Sequence, residues 1–287
     1  MNRRNFITAA GLCLVGSRLT FADEAAIAGI EKRLGGRVGV MALDTGSGET
    51  IKHRADERFA MCSTFKWALA AGVLARVDSG EFALDQAVHY EEDDLLEYAP
   101  VAHENFDRDT DTGSQTIEEL GAAAVSISDN TAANLLLDLI GGPPGLTRFL
   151  RRHGDEVTRL DRNEPSLNMN LPGDPRDTTT PRAMVDTMRT MLLGDAVSPE
   201  SRDRLTRWLI DSKTGLARLR GGLPTDWVAG DKTGTGVNGA ANDIAIVWPP
   251  HRKPILIAAY LSDSSAKPDA LNAAHRKIAA TVVQQLG

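Results

Sequence analysis

Near the N-terminus, apolar residues recur at helical spacing: Ala26, Ile27, Ile30 and Leu34 share one face, and Gly35-Gly36 stops the run. The spacing predicts a helix over residues 23–34. The period then changes, and residues 37–44 and 49–53 read as two strands joined by the Gly46-Ser47-Gly48 turn. From about Thr64 to about Arg207 the pattern is mostly helical, punctuated by residues that start and stop helices. Gly80 ends one helix, and Thr116-Ile117-Glu118-Glu119 has the two side chains of a capping box. Gly141-Gly142-Pro143-Pro144 is a stop, while Pro181 and Pro199 each follow a capping hydroxyl, Thr180 and Ser198. Three strand-like runs come next, at 227–232, 243–248 and 255–261, and residues 269–285 close as a helix.

Strands at both ends with helices between them predict a two-lobe α/β fold. A mainly antiparallel sheet is built from both termini and flanked by helices, with an all-helical lobe inserted. The sheet lobe takes residues 23–62 and 208–287, the helical lobe 63–207, in a single domain with a cleft between the lobes. Residues 1–22 read as an export signal: Arg3 and Arg4 open it, Phe6 to Gly16 is mostly apolar, and small residues lead to Ala22. Arg3-Arg4-Asn5-Phe6-Ile7 fits a twin-arginine signal and equally an ordinary secretory start with two arginines. The apolar run is too short to span a bilayer. The expected mature chain is therefore periplasmic or secreted, and soluble.

Composition removes several functions. The 287 residues are 42% hydrophobic and 25% charged, the profile of a globular protein. A net charge of −7 without a dense Lys/Arg run argues against nucleic acid and anionic membranes as partners. Aromatic residues, at 5%, are too few for a base-stacking platform. Cys13 and Cys62 allow no disulfide framework, and none of the six histidines forms a zinc-ligand cluster. An enzyme or a binding protein for small molecules remains.

Three short motifs carry chemistry. Ser63-Thr64-Phe65-Lys66 puts a hydroxyl and an amine one helical turn apart, so that the amine can draw off the hydroxyl proton. Alone it reads equally as a helix cap before a surface lysine. Ser128-Asp129-Asn130 lies at a helix boundary, where capping alone would explain it. Lys232-Thr233-Gly234, in isolation, is a strand end with turn residues. Together and in this order the three resemble the signature of class A β-lactamases and penicillin-binding proteins. The resemblance spans nearly the whole chain from Asp23. Asp161-Arg162-Asn163-Glu164-Pro165-Ser166-Leu167-Asn168 looks like the class A Ω-loop, with residues 174–181 its closing end. Penicillin-binding peptidases lack that glutamate, so the resemblance favours class A over a D,D-peptidase or an acylated sensor.

The resemblance implies roles. Ser63 is the nucleophile, and its N–H with that of Thr235 forms the oxyanion hole. Ser128 relays a proton to the leaving nitrogen, assisted by Lys232. Lys66 or Glu164, through a water, takes the Ser63 proton, and the family pattern leaves that choice open. Glu164 with Asn168 holds the water that deacylates the enzyme. Asn130 binds the acylamide side chain of the substrate; Lys232, Thr233 and Thr235 form part of its carboxylate pocket. The stretch 239–243 lacks the arginine that many relatives add to that pocket, so Arg218 takes the role, with Arg220 the competing choice. Tyr98 matches a gatekeeper ring at the cleft mouth. By the same resemblance Glu164-Pro165 is cis, Arg162 pairs with Asp177, and Asn134 supports the loop. The expected activity is hydrolysis of penicillins and cephalosporins by an exported monomer, without metal or cofactor, conferring resistance. Two departures stand out: residues 101–115 form a longer, polar loop, and Gly236 occupies the position just after Lys-Thr-Gly where some carbapenem-hydrolysing relatives have a cysteine that pairs with the one matching Cys62. Cys62 is thus expected to be a free, buried thiol. Asp44-Thr45-Gly46 lacks the second copy that an aspartic protease needs and reads as a hairpin turn.

Overall fold

The computed structural model describes residues 16–287, so the expected signal segment lies, as far as residue 15, outside the described residues. The chain runs through α1 (Gly16–Leu34), β1 (Arg37–Asp44), β2 (Thr50–His53), β3 (Phe59–Ala60), a 3-10 turn (Cys62–Thr64) and α2 (Phe65–Asp78). Then come β4 (Ala87–Glu91), α3 (Pro100–Glu104), β5 (Phe106–Asp107), β6 (Thr112–Thr116) and α4 (Ile117–Ala122), which passes into a π-helical segment, Ala123–Ile127. There follow α5 (Asn130–Leu139), α6 (Gly142–Arg152), β7 (Thr178–Thr179), α7 (Pro181–Leu192) and α8 (Pro199–Ile210). β8 (Val228–Thr235), β9 (Ala241–Trp248), β10 (Ile255–Ser262) and α9 (Pro268–Leu286) complete it.

The large sheet has the order β2-β1-β10-β9-β8 and is antiparallel throughout. β1 pairs with β10 from Arg37↔Ser262 to Asp44↔Ile255, so the sheet is assembled from both ends of the chain. Both its faces are covered. Along β10, Ile255, Ile257, Ala259 and Leu261 face the core beneath α1 and α9, while Leu256, Ala258 and Tyr260 face the core shared with the helical lobe. Two-sided burial explains why this strand reads as one apolar run instead of alternating. Each fully buried Leu or Ile contributes about 1.5–3 kcal/mol, enough to fix the register by packing alone.

The caps act as their residues predict. Thr116 Oγ1 accepts from Glu119 N at 3.2 Å, and the Glu119 carboxylate takes Thr116 N in return at 2.8 Å. Thr180 and Ser198 cap α7 and α8 ahead of Pro181 and Pro199. Asp44 Oδ1 accepts from Gly46 N at 2.8 Å, closing the β1–β2 hairpin turn.

α1 begins at Gly16, ahead of the helix expected from residue 23, and the structure departs from the sequence pattern at three further places. Residues 101–115 are not an open loop: they contain α3, β5 and β6, and the strands join β4 in a small sheet ordered β4-β6-β5. Gly113 lies directly under the Tyr90 ring, Phe106 packs on that ring at 6.2 Å, and Tyr90 donates to Ala102 O at 2.8 Å. β8 does not end at Lys232 but continues to Thr235, paired with Ala241, so β9 also begins earlier than Asp243. Gly141-Gly142-Pro143-Pro144 stops α5 and also opens α6.

α1 is fastened to the sheet by one carboxylate. Glu31 accepts from Arg54 Nε at 2.7 Å, Arg54 Nη2 at 2.9 Å and Val38 N at 3.0 Å. The Arg54 hydrogen bonds hold its pKa down at about 2, below the ordinary 4.5. A depressed carboxylate stabilises the fold above its unfolded pKa and ceases to do so as pH falls through its folded one. Glu31→Gln is therefore expected to cost about 1–2 kcal/mol at neutral pH. The gap between wild type and variant should close as pH drops from about 4.5 toward about 2. Thermal melts across that range check it; a gap independent of pH would contradict the assignment.

Candidate active site

The nucleophile turn is held from three sides. Cys62 has φ +46°, which swings Ser63 out at the base of α2. Asn242 in β9 donates to Ala60 O at 2.8 Å and Met61 O at 3.0 Å, fixing the two residues before the turn. Gly234 in β8 passes so close that a Cβ there would fall 2.6 Å from Met61 O and 3.0 Å from Thr64 N. Only glycine lets the strand edge approach the serine at this distance.

Glu164 is the centre of the site. Its side chain has no exposed surface. Ser63 Oγ donates to its Oε1 at 2.6 Å, Lys66 Nζ lies 3.0 Å from the same oxygen, and Asn168 Nδ2 donates to Oε2 at 2.5 Å. The sequence spacing aims Lys66 at Ser63; the structure joins the two through the shared glutamate oxygen. Lys66 also donates to Ser128 O at 2.8 Å and Asn130 Oδ1 at 2.5 Å. Burial pulls the Lys66 pKa below the usual lysine range, with attraction to Glu164 opposing. Removing either partner of such a buried pair would strand a charge, at about 3–5 kcal/mol.

The loop that carries Glu164 is pinned at its neck and its floor. Asp177 Oδ1 accepts from the backbone N–H groups of Asp161 and Arg162 at 2.7 and 2.9 Å, and Arg162 Nε donates to Asp177 Oδ2 at 2.5 Å. Asn134 on α5 donates to Glu164 O and accepts from Glu164 N, both at 3.0 Å. The Glu164-Pro165 peptide is cis.

Across the cleft, Lys232 Nζ donates to Ser128 Oγ at 2.9 Å, and Lys66 reaches the same hydroxyl at 3.5 Å. Ser128 adopts φ +67°, a left-handed conformation that aims its hydroxyl between the two amines. Burial pushes the Lys232 pKa well below the usual lysine value; Lys66 repels in the same direction, and Asp231 and Glu164 oppose. Beside them opens a cavity of about 370 Å³ lined by Ser63, Ser128, Asn130 and Asn168 on one side and Thr233, Thr235 and Arg218 on the other. Tyr98, 52% exposed, stands at its mouth. Arg218 Nη2 donates to Thr235 Oγ1 at 2.6 Å, and its Nη1 to Gly234 O and Asn242 O at 2.9 and 2.6 Å. Arg220 turns away to Asp231, Ile210 O and Leu209 O, which leaves Arg218 as the arginine of the cleft. Cys62 is a free, buried thiol whose pKa burial pushes up to about 12, and a Cβ at Gly236 would sit 2.8 Å from its sulfur.

All eleven residues expected from the sequence thus meet in or directly beneath one cleft. Two further ones are missing from that expectation. Asn242 grips the nucleophile turn, and the signal that could have found it is an Asn-Asp pair opening an otherwise apolar strand. Thr214 accepts from Thr233 Oγ1 at 2.6 Å and lines the cavity; nothing in its sequence surroundings distinguishes it.

The chain resembles known proteins in both sequence and fold. The model of the β-lactamase enzyme family matches residues 23–286. β-Lactamase AST-1 of Nocardia asteroides is 48% identical over 263 residues, 90% of this chain and 82% of its own. The carbapenem-hydrolyzing β-lactamase KPC of Klebsiella oxytoca is 47% identical over 232 residues, 80% of this chain and 78% of its own. The class A β-lactamase of the last common ancestor of Gram-negative bacteria superposes with a TM-score of 0.90 at 55% identity, covering 93% of this chain and 100% of that one. A β-lactamase from Xanthomonas campestris gives 0.90 at 51% identity, covering 94% and 99%. Kinship in sequence and in fold over the same span places the chain in the β-lactamase enzyme family, among its class A members.

Proposed function

We propose that this class A β-lactamase opens the ring of penicillins and cephalosporins through an acyl-enzyme on Ser63, hydrolysed by a water that Glu164 activates. The observation that carries the reading is the 2.6 Å hydrogen bond from Ser63 Oγ to a buried carboxylate whose other oxygen is held by Asn168. In acylation, Ser63 Oγ attacks the lactam carbonyl as its proton passes to the Lys66 amine, directly or by way of the Glu164 oxygen that both groups share, so that Glu164 is left ionised. The carbonyl oxygen takes negative charge facing the N–H groups of Ser63 and Thr235. The C–N bond breaks, and Ser128 gives its proton to the ring nitrogen, replenished from Lys232 or Lys66.

Once Ser63 is an ester its hydroxyl proton is gone, and Glu164 Oε1 is free to accept from a water. Asn168 Oδ1, buried and without a hydrogen-bond partner, offers that water a second acceptor. Attack on the ester returns the proton to Ser63 Oγ as it leaves. Asn130 takes the acylamide side chain, and Arg218 with Lys232, Thr233 and Thr235 the carboxylate. A D,D-peptidase reading has no use for a glutamate placed this way. Residues 1–22 supply the export signal in this proposal, and the mature enzyme acts outside the cytoplasm as a monomer. Among the described residues no helix is long and apolar enough to cross a membrane.

Glu164→Ala should still be acylated, releasing one product equivalent in a burst, while turnover collapses by about a thousandfold and the adduct persists in mass spectra. Wild-type turnover in that variant would remove Glu164 as the deacylation base. Arg218→Ala should raise KM about tenfold for a substrate with a free carboxylate. The neutral methyl ester of that substrate should show no such change. Equal losses for both would mean that Arg218 supports the strand without binding the carboxylate.

A further inference from the structure

The far half of the Ω-loop is held by side-chain amides where apolar packing is missing. Asn170 is buried, yet its neighbours Met169 and Leu171 are each 42% exposed. Asn238, in the β8–β9 turn, donates from Nδ2 to Asn170 O at 2.6 Å. Asn170 Nδ2 returns the contact to Asn238 O at 3.3 Å and donates to Ser262 Oγ at 2.8 Å. The Asn238 carbonyl also accepts from Asp263 N at 2.8 Å, so the turn and the end of β10 brace each other. One residue before Asn238 and two before Asn170, Val237 N donates to Asn168 O at 3.2 Å. Gly236 permits the approach, because a Cβ there would fall 2.4 Å from Asn168 O. Asn238 itself has φ +52°, a conformation that asparagine tolerates better than most residues.

These contacts bear on one half of the chemistry. Glu164 is fixed from below by Asn134, whereas Asn168, its partner around the water, is fixed from the β8–β9 turn. The turn is closed by backbone bonds of its own, Gly236 N to Ala240 O at 3.0 Å and Ala240 N to Val237 O at 3.1 Å. Loss of the Asn238 side chain would thus remove the 2.6 Å tie to Asn170 O and loosen the loop without undoing the strand edge. Ser63, Lys66, Ser128 and Lys232 have no hydrogen bond to either asparagine.

We propose that Asn238, acting with Asn170, is a positioning residue for deacylation that keeps the Asn168 amide against Glu164. The proposal rests on the roles given above to Glu164 and Asn168. Asn238→Gly removes the amide and keeps the left-handed backbone, and Asn238→Asp keeps the shape without the donor. With a penicillin as substrate, both are expected to lose about tenfold in kcat, with KM falling alongside and kcat/KM held within about twofold. Quenched steady-state samples should then show a raised fraction of acylated enzyme by mass spectrometry, and Asn170→Ala should give the same split. Unchanged kcat in the two Asn238 variants overturns the proposal. So does a parallel fall of kcat and kcat/KM without adduct, matched by a lowered Tm. Glu164→Ala run beside them separates the two levels. If it traps the adduct while Asn238→Gly behaves as wild type, the tether alone is wrong; if it turns over freely, the deacylation reading fails first.

Discussion

The Glu164 carboxylate has no exposed surface, and a charge in that position is tolerable only when every oxygen is engaged. Ser63, Lys66 and Asn168 engage it, and each is supplied by a different part of the chain. Ser63 comes from the turn before α2, Lys66 from α2 itself, and Asn168 from the far side of the Ω-loop. The rest of the architecture can be understood as what brings these three to one acid. The two-sided sheet sets β8 against the nucleophile turn, α5 clamps the Glu164 backbone, and the Arg162–Asp177 pair closes the loop's neck.

The same crowding sets the proton chemistry. Two lysines buried near one glutamate cannot both keep ordinary pKa values, and burial moves both downward. A lysine with a lowered pKa gives up a proton more readily than a surface lysine, which suits both amines to feeding Ser128. The left-handed Ser128 stands between them, its hydroxyl 2.9 Å from Lys232 Nζ and 3.5 Å from Lys66 Nζ.

Much of this was legible in the sequence because the chemistry is tied to residue identity. Two serines, two lysines, a glutamate and two asparagines in fixed order leave few ways to be used. The fold class was legible too, since the β10 run and the capped helices announce their own period. The small sheet of β4, β5 and β6 was hidden because only Gly113 and Gln115 alternate inward on β6, and neither reads as apolar core. The continuation of β8 through Lys232-Thr233-Gly234 was hidden because its glycine looks like a turn residue, whereas it is there for close approach to the nucleophile turn. Direct contact of Ser63 with Glu164 was not legible at all. The resemblance gives Asn134 as the loop's support, but how far that support carries Glu164 toward Ser63 is set by tertiary contacts with no local signal.

Hydrolysis of a chromogenic cephalosporin by the protein lacking residues 1–22, followed as product released per enzyme, tests the central claim most directly. A constant rate through many equivalents is the predicted result, because Glu164 and Asn168 would clear each acyl-enzyme as it forms. One equivalent of product followed by silence, with the adduct still on Ser63, would contradict the account.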